Sequence, residues 1–392
     1  MPLSQDFVAD LQVVPLKDII EILKGADRPS FGTRWILKNE VRPVDLYCYF
    51  GARFGAPNGI QNFLRADHSD NLIHWEWFLR SGNRFIFVQG MNFRTEVWIS
   101  GETDLSESDK DLLTNDIKSH FAMHGREMGT VRKSLEHWVE FVNPYQRLRR
   151  SVKSLLNDLE SLGLNATQDS VLDISDCENI EEFQGAWEMQ AEKYHRAIGL
   201  SFGIRSMLPV MAEAFVNMIL YTLMKPDLKS DERLKENLIR QPIDIRIRGL
   251  AHNCNGFKKI IDYSSEACGR YHTLVNERND LLHGNVVIDK LRFNELYFHG
   301  RVPVFIQYLS MWERSLGVAH KSVGIDKVNE ELAVVDGLVE YLLSCLDDQV
   351  RANVELSIES FHLGLNMENG RLGVLFPAHV VDFSTVLNKE EH

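Results

Sequence analysis

Three runs rich in aromatic and β-branched residues stand close together near the start of the chain: Leu72 to Leu79 (LIHWEWFL), Arg84 to Gln89 (RFIFVQ) and Thr95 to Ile99 (TEVWI). Such runs suit a pleated, half-buried surface. Ser81-Gly82-Asn83 supplies a hairpin turn between the first two. Together they predict an antiparallel sheet. Strand alternation puts Trp75 and Trp77 on one face and His74 and Glu76 on the other. Trp75, Trp77, Phe78, Phe85, Phe87 and Trp98 could stack on bases, although a face of this kind is more often the core side of a sheet.

The surrounding residues extend this region to a small α+β domain over 1–140. Residues 5–24 suggest one or two short amphipathic helices broken near Pro15, and Val44 to Gly51 reads as a further strand. Ala56-Pro57-Asn58-Gly59 has turn chemistry. Ser106, with Asp109 three residues on, starts one helix, and a second is expected from about Glu127 to Phe141. Neither a Gly-x-Gly-x-x-Gly nor a Walker sequence occurs there, so nothing marks the domain as nucleotide-binding. His120 and His124 lack the glutamate of a metallopeptidase helix and read as a polar face.

Beyond residue 140 the pattern becomes helical. A helix from about Tyr145 to Leu162 leads into an acidic connector, 141–178 in all. Residues 157–191 hold nine acidic side chains and no Lys or Arg, and Leu164 to Ser175 reads as an exposed connection. Helices are expected at Ile180 to Phe202, Met207 to Met224, Lys229 to Arg240, Ser265 to His283, Pro303 to Leu316 and Lys327 to Asp348, making 179–392 an all-α domain. Leu250 to Ser264 reads as helix or loop. Pro209 fits the first turn of the second helix, and Gly284 is placed to stop the one that ends at His283.

With 392 residues, 44% hydrophobic and 25% charged, the chain has the length of two or three globular domains. The formal charge of -13 excludes broad, non-specific nucleic-acid binding. An RNA site would have to be local, and the basic stretch Arg147 to Lys153 shows that a local positive face can exist. Five scattered cysteines suggest reduced thiols and a cytoplasmic protein. MPLSQDFVAD offers no basic or apolar leader, so no secretory signal is expected. The most apolar stretch, Ser206 to Met224, carries Pro209, Glu213 and Asn217 and reads as a core helix; no membrane association is expected.

The residues that carry chemistry lie at the end of the expected motif helix, Arg278-Asn279-Asp280-Leu281-Leu282-His283-Gly284-Asn285. Ala267, Tyr271, Leu274, Val275 and Leu282 form an apolar stripe at helical spacing, and Arg278 falls in phase with it. A guanidinium there is costly unless it is paired or lies at an interface. His283 is five residues on, about 140° around a regular helix, so the two do not converge on one straight helix. On the preceding apolar helix Glu213 and Asn217 share a face, where Glu213 could hold Arg278, line a cleft or simply bond a neighbouring helix. Arg246 and Arg248 could guide RNA or be solvated. His252, Cys254, Cys268 and His272 could suggest zinc, but His-x-Cys is an unusual ligand pair and no metal is expected.

The Arg-x-x-x-x-His arrangement, the Asn directly after the Arg and the Leu-Leu-His-Gly-Asn continuation resemble the HEPN family (higher eukaryotes and prokaryotes nucleotide-binding). Met211 to Asn217 resembles the core helix that precedes the motif helix in that family. The resemblance covers roughly residues 185–350. It implies a metal-independent endoribonuclease with no cofactor, working as a homodimer with the motif paired across the interface. The RNA 2′-hydroxyl would attack the adjacent phosphorus and leave a 2′,3′-cyclic phosphate. His283 would be general acid or base, Arg278 would stabilise the phosphorane, and Asn279 would orient the histidine or contact the phosphate, with Glu213 and Asp280 as support. It further implies tRNA or mRNA as substrate, a toxin or anti-phage defence role, and a regulatory function or partner for the first domain. The alternative is a non-catalytic RNA-binding or protein-interaction module.

Overall fold

The computed structural model describes residues 2–375 apart from 5, 26–28, 39, 66–70, 102–104, 171–173, 287, 289–294, 306–309 and 311. The fold is α+β and divides into two compact units. One is built chiefly from Met1–Val139, with Gly364–Gly370; the other comprises Glu140–Leu363 and Arg371–Val374.

The first unit is organised by five strands: β1 (Gln12–Val13), β2 (Thr33–Leu37), β3 (Ile73–Ser81), β4 (Arg84–Met91) and β5 (Thr95–Ile99). They pair antiparallel in the order β1-β3-β4-β5-β2. Ser81 pairs with Arg84, which leaves Gly82-Asn83 as a two-residue loop. Gly82 takes φ 58°, the positive value this turn requires at its first position. One face of the sheet presents Trp77, Leu79, Ile86, Val88 and Val97 to Leu46, Tyr49 and Phe50 of one helix and Leu113 and Ile117 of another. The opposite face carries a smaller cluster in which Phe78 packs with Ile19.

The strand expected at Val44 to Gly51 is instead a helix, Pro43–Phe54. Pro43 occupies its first turn, Asp45 favours its N-terminus and Gly55, at φ 77°, ends it. Leu46, Tyr49 and Phe50 recur at i, i+3 and i+4, so all three reach the sheet. The helix expected from Glu127 to Phe141 stops at Lys133, and Trp138–Val142 is a strand. The Ser106 helix (Glu107–His120) carries a complete capping box, since Asp109 also accepts from the Ser106 backbone amide.

The second unit is built around one 44-residue helix, Ile180–Leu223, where the sequence predicts two. Pro209 lies inside it, fully buried, and removes the amide that would bond the Arg205 carbonyl. Packing on Leu208, Met211, Ala212 and Phe215 outweighs that loss. The helix is long and apolar enough to cross a membrane by length and composition, but 56% of its most apolar window is buried inside the protein, as in a core helix. Around it pack Pro144–Ser161, Ile243–Asn253, Glu266–His283, Val328–Ser344 and Asp348–Glu359. Of the segment expected as a helix at Pro303 to Leu316, residues 306–309 and 311 lie outside the described residues, and its first residues form a strand instead. Val302–Phe305 pairs with Tyr297–His299 in a hairpin turned at Gly300, and Glu313–Gly317 is a π-helical turn.

The Pro144–Ser161 helix, expected to lead into a connector, is part of this core: Tyr145, Val152 and Leu159 are buried with Phe215 and Leu342. Its N-cap, Asn143, is fully buried. Asn143 Oδ1 accepts from the amides of Tyr145 (3.0 Å) and Gln146 (3.3 Å), and Nδ2 donates to the carbonyls of Ser357 and Ser360, both at 3.0 Å. Asn143→Ala should therefore cost more than an ordinary cap, about 2–3 kcal/mol, because buried backbone groups on two elements lose their partners together. A urea titration measures it; a loss under about 0.5 kcal/mol would mean that those groups find other partners.

Candidate active site

The motif helix runs Glu266–His283 and ends where Gly284 turns to φ 60°. Asp280 fastens this end: its carbonyl accepts from the Gly284 and Asn285 amides, and its Oδ1 accepts from Asn285 Nδ2 at 3.0 Å. Asp280 thus fixes the turn beside His283. The helix stays regular through His283, so Arg278 and His283 project about 140° apart on one chain. The divergence predicted for a straight helix is present, and Gly284 acts only after the histidine.

Arg278 and Asn279 are half-buried, whereas His283 is exposed. Arg278 Nε is buried with no hydrogen-bond partner among the described residues. The other buried arginines of this unit are paired. Arg246, 7% exposed, donates to Glu213 and Asn217. Arg205 donates from Nε to both oxygens of Glu331 at 2.8 Å, from Nη1 to the Val323 carbonyl at 2.8 Å and from Nη2 to Glu277 at 3.0 Å.

These pairings decide between the alternatives for Glu213 and for Arg246. Glu213 holds Arg246, not Arg278. Arg246 is closed into the core by that ion pair and by Asn217, so it is not a surface guide for RNA. Arg248 is exposed, with its guanidinium over the Tyr263 ring at 4.3 Å. A further group, which the sequence places only in an apolar stripe, is Tyr271, buried, whose Oη donates to the Pro209 carbonyl at 3.1 Å. Burial pushes the Tyr271 phenol up, the Glu213 charge adds to this, and Arg246 and Arg278 oppose it. The phenol therefore stays protonated and ties the motif helix to the long helix.

Arg205, Glu331 and Glu277 were not singled out in the sequence. A legible signal existed: Arg205 follows Ile204 and stands in phase with Leu208 and Ala212, as Arg278 is with its own stripe. A charge in an apolar stripe needs a partner, and two such charges should have prompted a search for two carboxylates.

The cysteines and histidines weighed for zinc are not gathered. Cys254 and Cys268 are buried in the core, whereas His252 and His272 are exposed. Burial pushes the Cys254 thiol up to about 12, away from the thiolate a metal takes. Among the described residues no three His, Cys, Asp or Glu side chains are placed to hold a metal ion. His120 is not simply a solvated polar group: its Nδ1 lies 3.0 Å from Tyr49 Oη.

Several described apolar residues at and beyond the motif are uncovered. Leu282, Val286 and Ile288 are exposed, Val286 to 81%. The Tyr297–Phe305 hairpin that follows exposes Tyr297, Phe298 and Val302. An isolated two-stranded hairpin is marginal in water, and exposed apolar runs of this kind mark association surfaces.

Comparison with models of protein families, with curated proteins and with solved structures gives no match.

Proposed function

We propose that the chain is a metal-independent endoribonuclease of the HEPN type acting as a homodimer. The observation that carries this reading is Arg278. Arg205 and Arg246 each have a carboxylate partner, whereas Arg278 has none among the described residues and its Nε, like that of Arg246, is buried without an acceptor. A buried donor with no partner costs free energy until an anion reaches it, and a phosphate suits the planar guanidinium. His283 stands exposed on the same helix, and the exposed apolar stretch after it offers a surface for a second copy. A two-fold pairing there would set Arg278 of one protomer beside His283 of its partner, which the straight helix prevents within one chain.

In such a site the RNA 2′-hydroxyl attacks the adjacent phosphorus and the 5′-oxygen leaves. His283 of each chain exchanges the proton as general base or acid. Arg278 stabilises the charge on the phosphorane, Asn279 contacts the phosphate or the imidazole, and Asp280 holds the helix end. The nucleophile is already part of the substrate, which supplies proximity without a metal. The substrate would be tRNA or mRNA, and the role a toxin or anti-phage effector controlled by the first unit or by a regulatory partner. The free cysteines, four of them buried, suit a reducing cytoplasm.

End-labelled total tRNA and mRNA incubated with the chain in EDTA test the proposal. The expected products end in 2′,3′-cyclic phosphate and 5′-hydroxyl. Products with 3′-hydroxyl and 5′-phosphate ends, or no cleavage by folded dimer, would overturn it. One observation favours a second reading, a non-catalytic RNA-binding or interaction module: Arg278 and His283 do not meet within one chain.

A further inference from the structure

We propose that the first unit contains a site for a nucleobase, free or as a neutral nucleoside, on its sheet. This inference is independent of the nuclease reading. A groove of about 610 Å³ is lined by Pro29, Ser30, Phe31, Phe87, Gln89 and Trp98. Two of its aromatic residues share one register row, because Phe87 pairs directly with Trp98 across β4 and β5. Phe31 packs on Phe87 with ring centroids 4.9 Å apart. All three rings are only partly buried, so ring surface remains for a flat ligand.

The polar end of the groove has a fixed sense. Glu76, buried beneath it, accepts from Gln89 Nε2 at 2.5 Å and from the Gln61 amide at 3.3 Å. Burial pushes the Glu76 carboxyl up and these donors pull it back; in its ionised form it only accepts, and Gln89 turns its Nε2 toward it. Gln89 Oε1 is then left as an acceptor with no donor among the described residues. Gly59 packs so closely that a Cβ there would lie 2.1 Å from Glu76 Oε1, so the carboxylate has little room to release Gln89. The groove therefore offers apolar faces and one oriented acceptor.

That chemistry suits a ring with apolar faces and an N–H edge. A sugar presents hydroxyls all round, and apart from Gln89 only Ser30 has a polar side chain to meet them without aromatic walls. No Lys or Arg is among the described lining residues. Arg34, the nearest cation in the register row, is held by Glu96 through Nε at 3.0 Å and Nη2 at 2.6 Å and lies over the Trp98 ring at 5.1 Å. The base, not a phosphate, is what this groove reads.

Titration of adenosine, guanosine, cytidine and uridine into the full chain, followed by calorimetry, tests the site. At least one nucleoside should bind saturably. Gln89→Leu should weaken binding at least ~10-fold, the value of one well-placed hydrogen bond. Trp98→Leu should weaken it by a similar or larger factor. Both residues contact buried carboxylates, so Ser30→Trp is the control that leaves those bonds intact. It blocks the groove from its exposed rim and should also abolish binding while the melting temperature stays unchanged. No saturable binding of any of the four at millimolar concentration by the folded chain, or binding that Ser30→Trp leaves intact, would overturn the proposal.

Discussion

His283→Ala is expected to lower RNA cleavage by roughly 10²–10⁴-fold, the range spanned by a general acid or base, with no measurable change in melting temperature. The side chain is exposed at the end of its helix, and the turn behind it is held by Asp280 and Gly284, so its removal leaves the fold alone. Arg278→Lys keeps the charge but not the planar fork and should lose a comparable factor. Mixing the two inactive chains separates the possible sites. If each site takes Arg278 from one protomer and His283 from its partner, the mixed dimer holds one intact site of two, and an equimolar mixture, about half of it mixed dimer, recovers roughly a quarter of the wild-type rate. If both residues act within one chain, mixing restores nothing. Equal cleavage by wild type and His283→Ala would remove the histidine from the reaction.

The largest effect on stability is expected at Arg205. Its guanidinium is buried and joins three elements: the long helix, Glu331 on Val328–Ser344 and Glu277 on the motif helix, with the Val323 carbonyl as a fourth contact. Arg205→Ala leaves the buried Glu331 carboxylate without its cation, at a cost of about 3–5 kcal/mol. Arg205→Met with Glu331→Leu removes both charges and should cost much less. Urea unfolding of the three chains measures the difference. If the single and double variants are equally destabilised, the pair is not what holds the three helices. Gly324 belongs to the same device: at φ 65° it favours glycine, and a Cβ there would lie 2.7 Å from Arg205 Nη1.

Much of this arrangement was legible in the sequence. Alternation and aromatic content located β3, β4 and β5, and the apolar stripe and a terminal glycine placed the motif helix. Short apolar runs misled where two periods fit equally well. DLYCYFG reads as a strand from its aromatics, and only Pro43 and Gly55 at its flanks mark it as a helix. Pro209 misled because local backbone chemistry predicts a break, whereas the apolar residues on both sides of it pack as one continuous surface. At the site, phase showed that Arg278 was an unusual neighbour of an apolar core, but Arg246 read as a surface residue and the carboxylates that hold Arg246 and Arg205 were not identified. Their identity depends on how three helices far apart in sequence are brought together. The partner of Glu213 is 33 residues away, and that of Arg205 is 126 residues away.

The unbroken helix through Pro209 has a mechanical consequence. Its 44 residues form a rod about 66 Å long. The first turns carry exposed Ile180 and Met189, while Arg205, Pro209 and Glu213 lie further along. Those three hold the motif helix through Glu277 and Tyr271 and clamp the Arg246 helix. A break at the proline would have decoupled the two halves. A continuous rod instead couples any tilt of its outer end to the groups that hold the motif helix.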